Sequence, residues 1–162
     1  MYHLTVFLHV LSAFVFALMH GASTKVILKL RSEKNPERLA ALLGLSSEYT
    51  NVLYISLLVM ILAGIAGGFL GEWWGTGWIW LAIVLLFGIF GAMYSLATAP
   101  LSILRKTLER PNPAGAEPSA SDLSTSQSEI DSRIAAIKPG LIAAIGYGGL
   151  AVIIGLMAFK PF

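Results

Sequence analysis

The chain has 162 residues, of which 56% are hydrophobic and only 12% are charged, and its formal net charge is +2. A typical soluble domain has roughly a quarter of its residues charged, so this composition excludes an ordinary water-soluble surface and predicts a membrane protein. The absence of cysteine excludes disulfides, thiolate metal sites and cysteine nucleophiles, and the mild positive charge is typical of cytoplasmic loops rather than of nucleic-acid binding.

Four apolar runs follow one another along the chain, at about residues 2–23, 50–71, 77–100 and 140–159. Each run is long enough to cross a bilayer, which takes about 20 helical residues. We expect helices because a backbone in lipid must satisfy its own hydrogen bonds, and because no run has the alternating pattern of a membrane strand. The sequence therefore predicts an all-α integral membrane four-helix bundle, with one domain over residues 1–162.

The first run contains all three histidines of the chain, His3, His9 and His20. At about 100° per residue, His9 and His20 lie on one face of a helix, roughly 16 Å apart along its axis. Three hydroxyl side chains lie close to the same face: Thr5, Ser12 and Thr24. A polar residue inside a span is a candidate functional residue, because leaving it unpaired in lipid is costly.

Three interpretations of this polar stripe are open. In the first, the histidines lie near the interfaces or form hydrogen bonds to neighbouring helices. In the second, His9 or His20 is an axial ligand of haem b, and the second ligand is Met60, Met93, Met157, a residue of a partner, or none. In the third, histidine and methionine bind copper or another metal, since soft ions prefer these ligands.

The basic residues distinguish the loops. The connection at 24–49 contains five of the eleven lysines and arginines, the connection at 101–139 contains another five, and Lys160 follows the last span. Cytoplasmic loops are enriched in basic residues, so this distribution predicts that both long loops are cytoplasmic and that both termini are outside.

The two basic loops differ in composition. Residues 31–49 predict a short amphipathic helix at the inner interface, because Asn35-Pro36 is a helix-start signal. Leucines form its apolar strip, at Leu39, Leu42, Leu43 and Leu45.

Residues 107–128 of the second loop are rich in Pro, Ser and Ala and predict flexibility. Helical spacing returns after Ser128, at Ile130, Ile134 and Ile137. We interpret this stretch as a solvated linker with one helical turn, and a partner-docking segment is the alternative.

Small residues predict how the spans pack, because helices in lipid associate by close approach of their backbones. The candidate positions are Gly64 and Gly68 in the second span, Gly88 and Ala92 in the third, and Gly148 and Gly155 in the fourth. We expect packing within the bundle, with contact to another membrane protein as the alternative.

All four tryptophans lie in the window 71–80, where the second span ends and the third begins, at Trp73, Trp74, Trp78 and Trp80. Indole rings favour the headgroup level of a bilayer, so the window predicts a hairpin anchored at the outer surface. Glu72 is the only acid in this window and is a candidate contact for a cation or for a partner's lysine.

Enzymatic function is disfavoured. The sequence contains no HExxH, GxSxG or phosphate-loop motif. No carboxylate or lysine lies at mid-bilayer depth, which disfavours a proton-coupled pump.

Three segments resemble a bacterial family of small four-span integral membrane proteins of unknown function. They are "FLHVLSAFVFALMHGAS" at 7–23, "LRSEKNPERLAALLGLS" at 30–46 and "GFLGEWWGTGWIWLAIVLL" at 68–86. The chain is more distantly similar to the copper-resistance D (CopD) and HemJ-type membrane proteins, a resemblance that implies a haem-ligand position at His9. The chain departs from the HemJ pattern in two places. After His9 it has "FALMHG" (residues 16–21) in place of the segment usual in that family, and its third span contains no lysine.

We expect an accessory or structural subunit of a bacterial inner-membrane complex, or a homo-oligomer in that membrane. One alternative is a haem- or metal-binding protein for redox or copper handling that uses His9 and His20. Another alternative is a small transporter.

Overall fold

A computed structural model describes the backbone of residues 1–108 and 120–162 and the side chains of residues 1–108 and 128–162. All regular structure in these residues is helical. The elements are α1 (Tyr2–Leu30), α2 (Pro36–Leu70), a 3₁₀ turn (Trp73–Gly75), α3 (Gly77–Met93), a π turn (Tyr94–Thr98), α4 (Ala99–Leu108), α5 (Ala120–Ala136) and α6 (Pro139–Phe159).

Four helical segments are long and apolar enough to cross a membrane: Tyr2–Leu30, Pro36–Leu70, Gly77–Leu108 and Ser128–Phe159. The all-helical class and the four long apolar helices are therefore confirmed, and they are the features of a multi-pass membrane protein. Large apolar side chains also point outward in the middle of the helices, and Phe87, for example, is 68% exposed. This exposure is typical of helices that face lipid, where burial within protein gains little.

The helices pair in an order that differs from their order along the chain. Helix α1 packs along α2 and also meets α6, and α3 packs against α6. Helices α2 and α3 are joined by a short turn but hardly touch each other. Helix α1 runs antiparallel to α2, because His9 contacts Met60 and Thr5 lies beside Gly67.

The bundle has two distinct ends. The tryptophan end contains the start of α1, the turn between α2 and α3, and the C-terminus, where the backbone N–H of Trp78 donates to the carbonyl oxygen of Phe162 at 3.3 Å. The basic end contains the connection between α1 and α2 together with α4 and α5. Both chain termini therefore lie at the tryptophan end.

The predicted short amphipathic helix is not a separate element, and this part of the prediction is wrong. Residues 36–49 are the first turns of α2, which continues unbroken to Leu70. The start signal is used as predicted, because Asn35 Oδ1 accepts hydrogen bonds from the backbone N–H groups of Glu37 and Arg38 at 2.9 and 3.2 Å. No proline follows Pro36 within α2, so nothing interrupts the helix before the apolar span.

A cluster of buried apolar side chains lies at the basic end. This basic-end core consists of Ile27, Leu30, Leu39, Leu43, Leu101, Leu104, Ile130, Ile134, Ile137 and Ile142. Two leucines of the predicted strip, Leu39 and Leu43, are buried here together with residues of α1, α4 and α5.

The isoleucines before the last span differ from the interpretation as a solvated linker. Ile130, Ile134 and Ile137 are buried in the basic-end core, and α5 is several turns long. The segment predicted to be flexible, 107–128, lies partly outside the described residues. Within the described part, residues 107 and 108 end α4, and residues 120–128 belong to α5.

Candidate functional site: a cleft between α2 and α3

A cleft of about 210 Å³ lies between α2 and the continuous α3–π–α4 segment, with α1 behind it. It exists because α2 and α3 each pack against another helix instead of against each other. The apolar lining comes mainly from Leu53, Leu57, Leu86, Ile89, Phe90 and Met93. The polar lining towards the basic end comes from Ser46, Ser47, Thr50, Ser102 and Arg105. We call this the α2–α3 cleft.

The π turn forms part of one wall, and the local sequence explains it. Pro100 lies two residues after the turn, and a proline within a helix lacks the N–H donor and crowds the carbonyl four residues earlier, at Leu96. The helix widens over Tyr94–Thr98 and resumes α geometry afterwards. The hydroxyls of Tyr54 and Thr98 share a hydrogen bond of 3.2 Å, which joins α2 to the π turn across the cleft.

Arg105 is the charged group of the cleft. Its side chain is half-buried, and Nη2 donates to the carbonyl oxygen of Leu43 in α2 at 2.8 Å. No salt bridge involves Arg105 among the residues that the structure describes. The described lining also contains no acidic side chain, so the polar part of the cleft carries one positive charge.

His20 lies at the back of the cleft and is buried against α6. Its imidazole is so close to Gly146 that a Cβ at that position would collide with the ring, and the Tyr147 ring packs edge-on at 5.0 Å. Within the described residues, His20 Nε2 has no hydrogen-bond partner. Met93 lines the same cleft, so the structure brings one of the candidate methionines to the same cavity as His20.

His9 faces α2 and takes no part in the cleft. Its Nδ1 lies 2.7 Å from the carbonyl oxygen of Met60, and because a carbonyl only accepts, this nitrogen donates. The ring also covers Gly64, where an added Cβ would be 3.0 Å from it. His3 is exposed and packs beside Tyr2.

The structure therefore separates the histidines of the predicted stripe. His9 contacts α2, His20 contacts α6, and their rings do not share a site. In the described parts of the chain, no group of three or more His, Cys, Asp or Glu side chains could hold a metal ion.

The tryptophans form two packed pairs at the tryptophan end. Trp73 and Trp78 are 5.5 Å apart in an edge-to-face arrangement, and the Trp74 and Trp80 rings are 5.7 Å apart. Trp80 Nε1 donates to the carbonyl oxygen of Trp74 at 3.1 Å. The ammonium group of Lys160 lies 3.4 Å from the centre of the Trp73 ring, so a cation of this chain itself occupies that indole face.

Glu72 is exposed and begins the 3₁₀ turn with φ of 57°. This left-handed conformation is uncommon outside glycine, and it reverses the chain between α2 and the tryptophans. No salt bridge of Glu72 occurs within residues 1–108 or 128–162.

The predicted packing positions divide into two groups. Gly64 and Gly68 face other parts of the chain, at His9 and Trp74. Ala92 is half-buried. The remaining positions have nothing within 4 Å of an added Cβ: Gly88, Gly148 and Gly155.

Sequence reasoning missed the close contacts at Gly146 and Gly149, and it missed Arg105. Gly149 packs on Ile89 of α3, and Gly146 on His20. The sequence does contain a signal for Arg105. Its own stretch, "TAPLSILR" (98–105), and the stretch "SSEYT" (46–50) are both rich in hydroxyl side chains, and both lie at the basic ends of apolar spans.

No protein-family model, curated protein or solved structure matches this chain. The resemblance to small four-span bacterial proteins and to the CopD and HemJ types therefore stays a prediction.

Proposed function

We propose that this protein is an accessory or structural subunit of a bacterial inner-membrane complex, or a homo-oligomer in that membrane. The observation that carries the proposal is the outward direction of Gly148 and Gly155 on α6. Helix α6 uses Gly146 and Gly149 for contacts within the chain, whereas an added Cβ at Gly148 or Gly155 meets nothing within 4 Å. In lipid, small residues allow the close backbone approach that drives helix association.

The proposed orientation places the basic end in the cytoplasm and the tryptophan end outside. The distribution of lysine and arginine supports it, because cytoplasmic loops are enriched in these residues. The arrangement of the ends is compatible with it, since both termini lie beside the tryptophans, which favour a membrane interface.

A haem or metal function has weaker support. An axial or metal ligand needs a ring nitrogen that faces open space. His9 could still bind through Nε2, because ligand histidines also donate Nδ1–H to a backbone carbonyl, but no second histidine shares its site, and the His20 ring is pressed against Gly146. A Soret absorbance band in the purified protein, lost in a His20→Ala variant, would favour this alternative over the proposal.

Native mass in mild detergent tests the proposed association. We expect the wild-type protein to run as an oligomer or with a co-purifying membrane protein. A Gly148→Ile/Gly155→Ile variant should run as the single chain, because the added side chains hold the partner helix away. Ile154→Phe is the matched control, since it enlarges an exposed residue of α6 at least about 100° from both glycines. A wild-type protein that is monomeric and has no partner would contradict the proposal.

A further inference from the structure

The α2–α3 cleft separates charge from apolar surface along its length. On α2 its lining runs from Ser46 at the basic end to Leu57. That distance is about 16 Å of helix axis, and one leaflet is about half of a ~30 Å hydrocarbon core. On the opposite wall the lining continues from Arg105 to Leu86. The cleft is therefore at least as long as one leaflet, with its cation at one end.

The cleft is accessible from the side of the bundle. Phe90 and Tyr94 both line it, and they are 42% and 57% exposed. A molecule dissolved in the membrane could therefore place a chain between α2 and α3 without passing through the protein.

Arg105 supplies the specificity at the basic end. A guanidinium has five N–H donors, and among the described residues it has one acceptor, the carbonyl oxygen of Leu43. A half-buried cation of this kind favours an anionic partner with several acceptor oxygens, and arginine matches a phosphate in a bidentate manner. The nearby hydroxyls of Thr50 and Ser102 donate to carbonyls of their own helices, so Arg105 carries the charge recognition.

We propose that the α2–α3 cleft binds an anionic phospholipid from the leaflet at the basic end. The headgroup phosphate pairs with Arg105, and one acyl chain lies between Leu53 and Leu57 of α2 and Phe90 of α3. Basic pockets between membrane helices are a known way of holding anionic headgroups. This site is independent of the outward glycines of α6.

Native mass spectrometry of the purified full-length protein, titrated with single lipids in detergent, tests this site. Both lipids carry a phosphate, but the choline cation of phosphatidylcholine offsets its charge and repels Arg105, so we expect phosphatidylglycerol to bind about tenfold more tightly. Arg105→Gln should remove this preference. The matched control is Lys106→Gln, which makes the same charge change at an exposed neighbouring residue and should keep the preference.

A further titration, with inorganic phosphate, tests whether the cleft binds a lipid headgroup or free phosphate. Inorganic phosphate alone should neither bind nor displace phosphatidylglycerol, because it gains nothing from the apolar lining. Equal affinity for the two lipids, an unchanged preference in Arg105→Gln, or displacement by inorganic phosphate would each overturn the proposal. If Arg105→Gln does not fold, Arg105→Lys replaces it, and the proposal then requires the preference for phosphatidylglycerol to survive. If Arg105→Gln loses the lipid preference but remains an oligomer, the result bears on the lipid site alone and does not affect the proposed association through α6.

Discussion

At the scale of single residues, neighbouring positions on α6 have opposite environments. Gly146 lies against the His20 ring, whereas Gly148, two residues later, has open space around it. Composition does not distinguish them, because both are glycines in the stretch "IGYGG". Which one is essential depends on the rotation of α6 relative to α1, and α6 is apolar all round.

We expect Gly146→Ala to destabilise the protein by about 1–3 kcal/mol, because the added methyl group collides with a buried imidazole. Gly91→Ala in α3 is the control, since nothing lies within 4 Å of an added Cβ there, and it should be neutral or up to about 1 kcal/mol stabilising because alanine favours a helix over glycine. Reversible unfolding in detergent measures both. Combining Gly146→Ala with His20→Ala should restore much of the loss, and a failure of this rescue would argue against the contact.

A second residue-scale prediction concerns Glu33, in the connection between α1 and α2. The backbone N–H of Asn35 donates to its carboxylate and holds the pKa of Glu33 below its usual value, and the N–H of Lys34 and the charge of Arg38 act in the same direction. A lowered folded-state pKa means that this stabilisation is present above the unfolded-state pKa. It is lost as the pH falls through the folded-state pKa.

Unfolding experiments at successive acidic pH values should therefore reveal a pH-dependent contribution in the wild type that is absent in Glu33→Gln. Glu48→Gln is the control, because the Glu48 carboxylate accepts no hydrogen bond within the described residues. Identical pH profiles for the wild type and Glu33→Gln would rule out the contribution.

At the scale of helices, the basic-end core lies almost entirely outside the four apolar runs of the sequence. The sequence shows the helical spacing of Ile130, Ile134 and Ile137, but the interpretation as a solvated linker did not predict that these side chains are buried. The spans themselves are apolar on every face, so their sequences predict that they are helices without predicting which face is buried. The α2–α3 cleft could not be predicted for this reason, because it depends on the pairing of α1 with α2 and of α3 with α6.

Adjacent residues of α4 test the importance of the basic-end core. Leu104 is fully buried at 0% exposure, and Ile103 is 45% exposed. Leu104→Ala should cost about 2–5 kcal/mol, because it removes apolar contacts and leaves a cavity. Ile103→Ala should cost about 0.5 kcal/mol or less. Chemical unfolding gives both values, and equal costs would mean that burial at this end does not stabilise the bundle.

At the scale of the whole molecule, the ends of the bundle are chemically distinct. Local signals predicted this division correctly in part: the tryptophan window, the Asn35 helix start and the four apolar runs are all read from short stretches of sequence. The continuity of α2 was not predicted, because the composition changes near residue 50 while the backbone does not. The polar or apolar character of a segment reflects the solvent around it. A helix, by contrast, ends only where its backbone hydrogen bonding is interrupted.

The absence of cysteine makes the orientation directly testable. Glu72→Cys places one thiol at the tryptophan end, and Glu33→Cys places one at the basic end. A membrane-impermeant maleimide added to intact spheroplasts should label the first variant, whereas the second should require permeabilisation. The opposite pattern would invert the proposed orientation.

The composition of the basic-end core has a consequence for the order of biosynthesis. Its members come from α1 and α2, made early, and from the region up to Ile142, made late. Leu39 and Leu43 therefore emerge from the ribosome long before the isoleucines that cover them, and the core closes only after most of the chain has been translated. During that interval the nascent hairpin of α1 and α2 presents an uncovered leucine surface, and transiently exposed apolar surface of this kind favours aggregation.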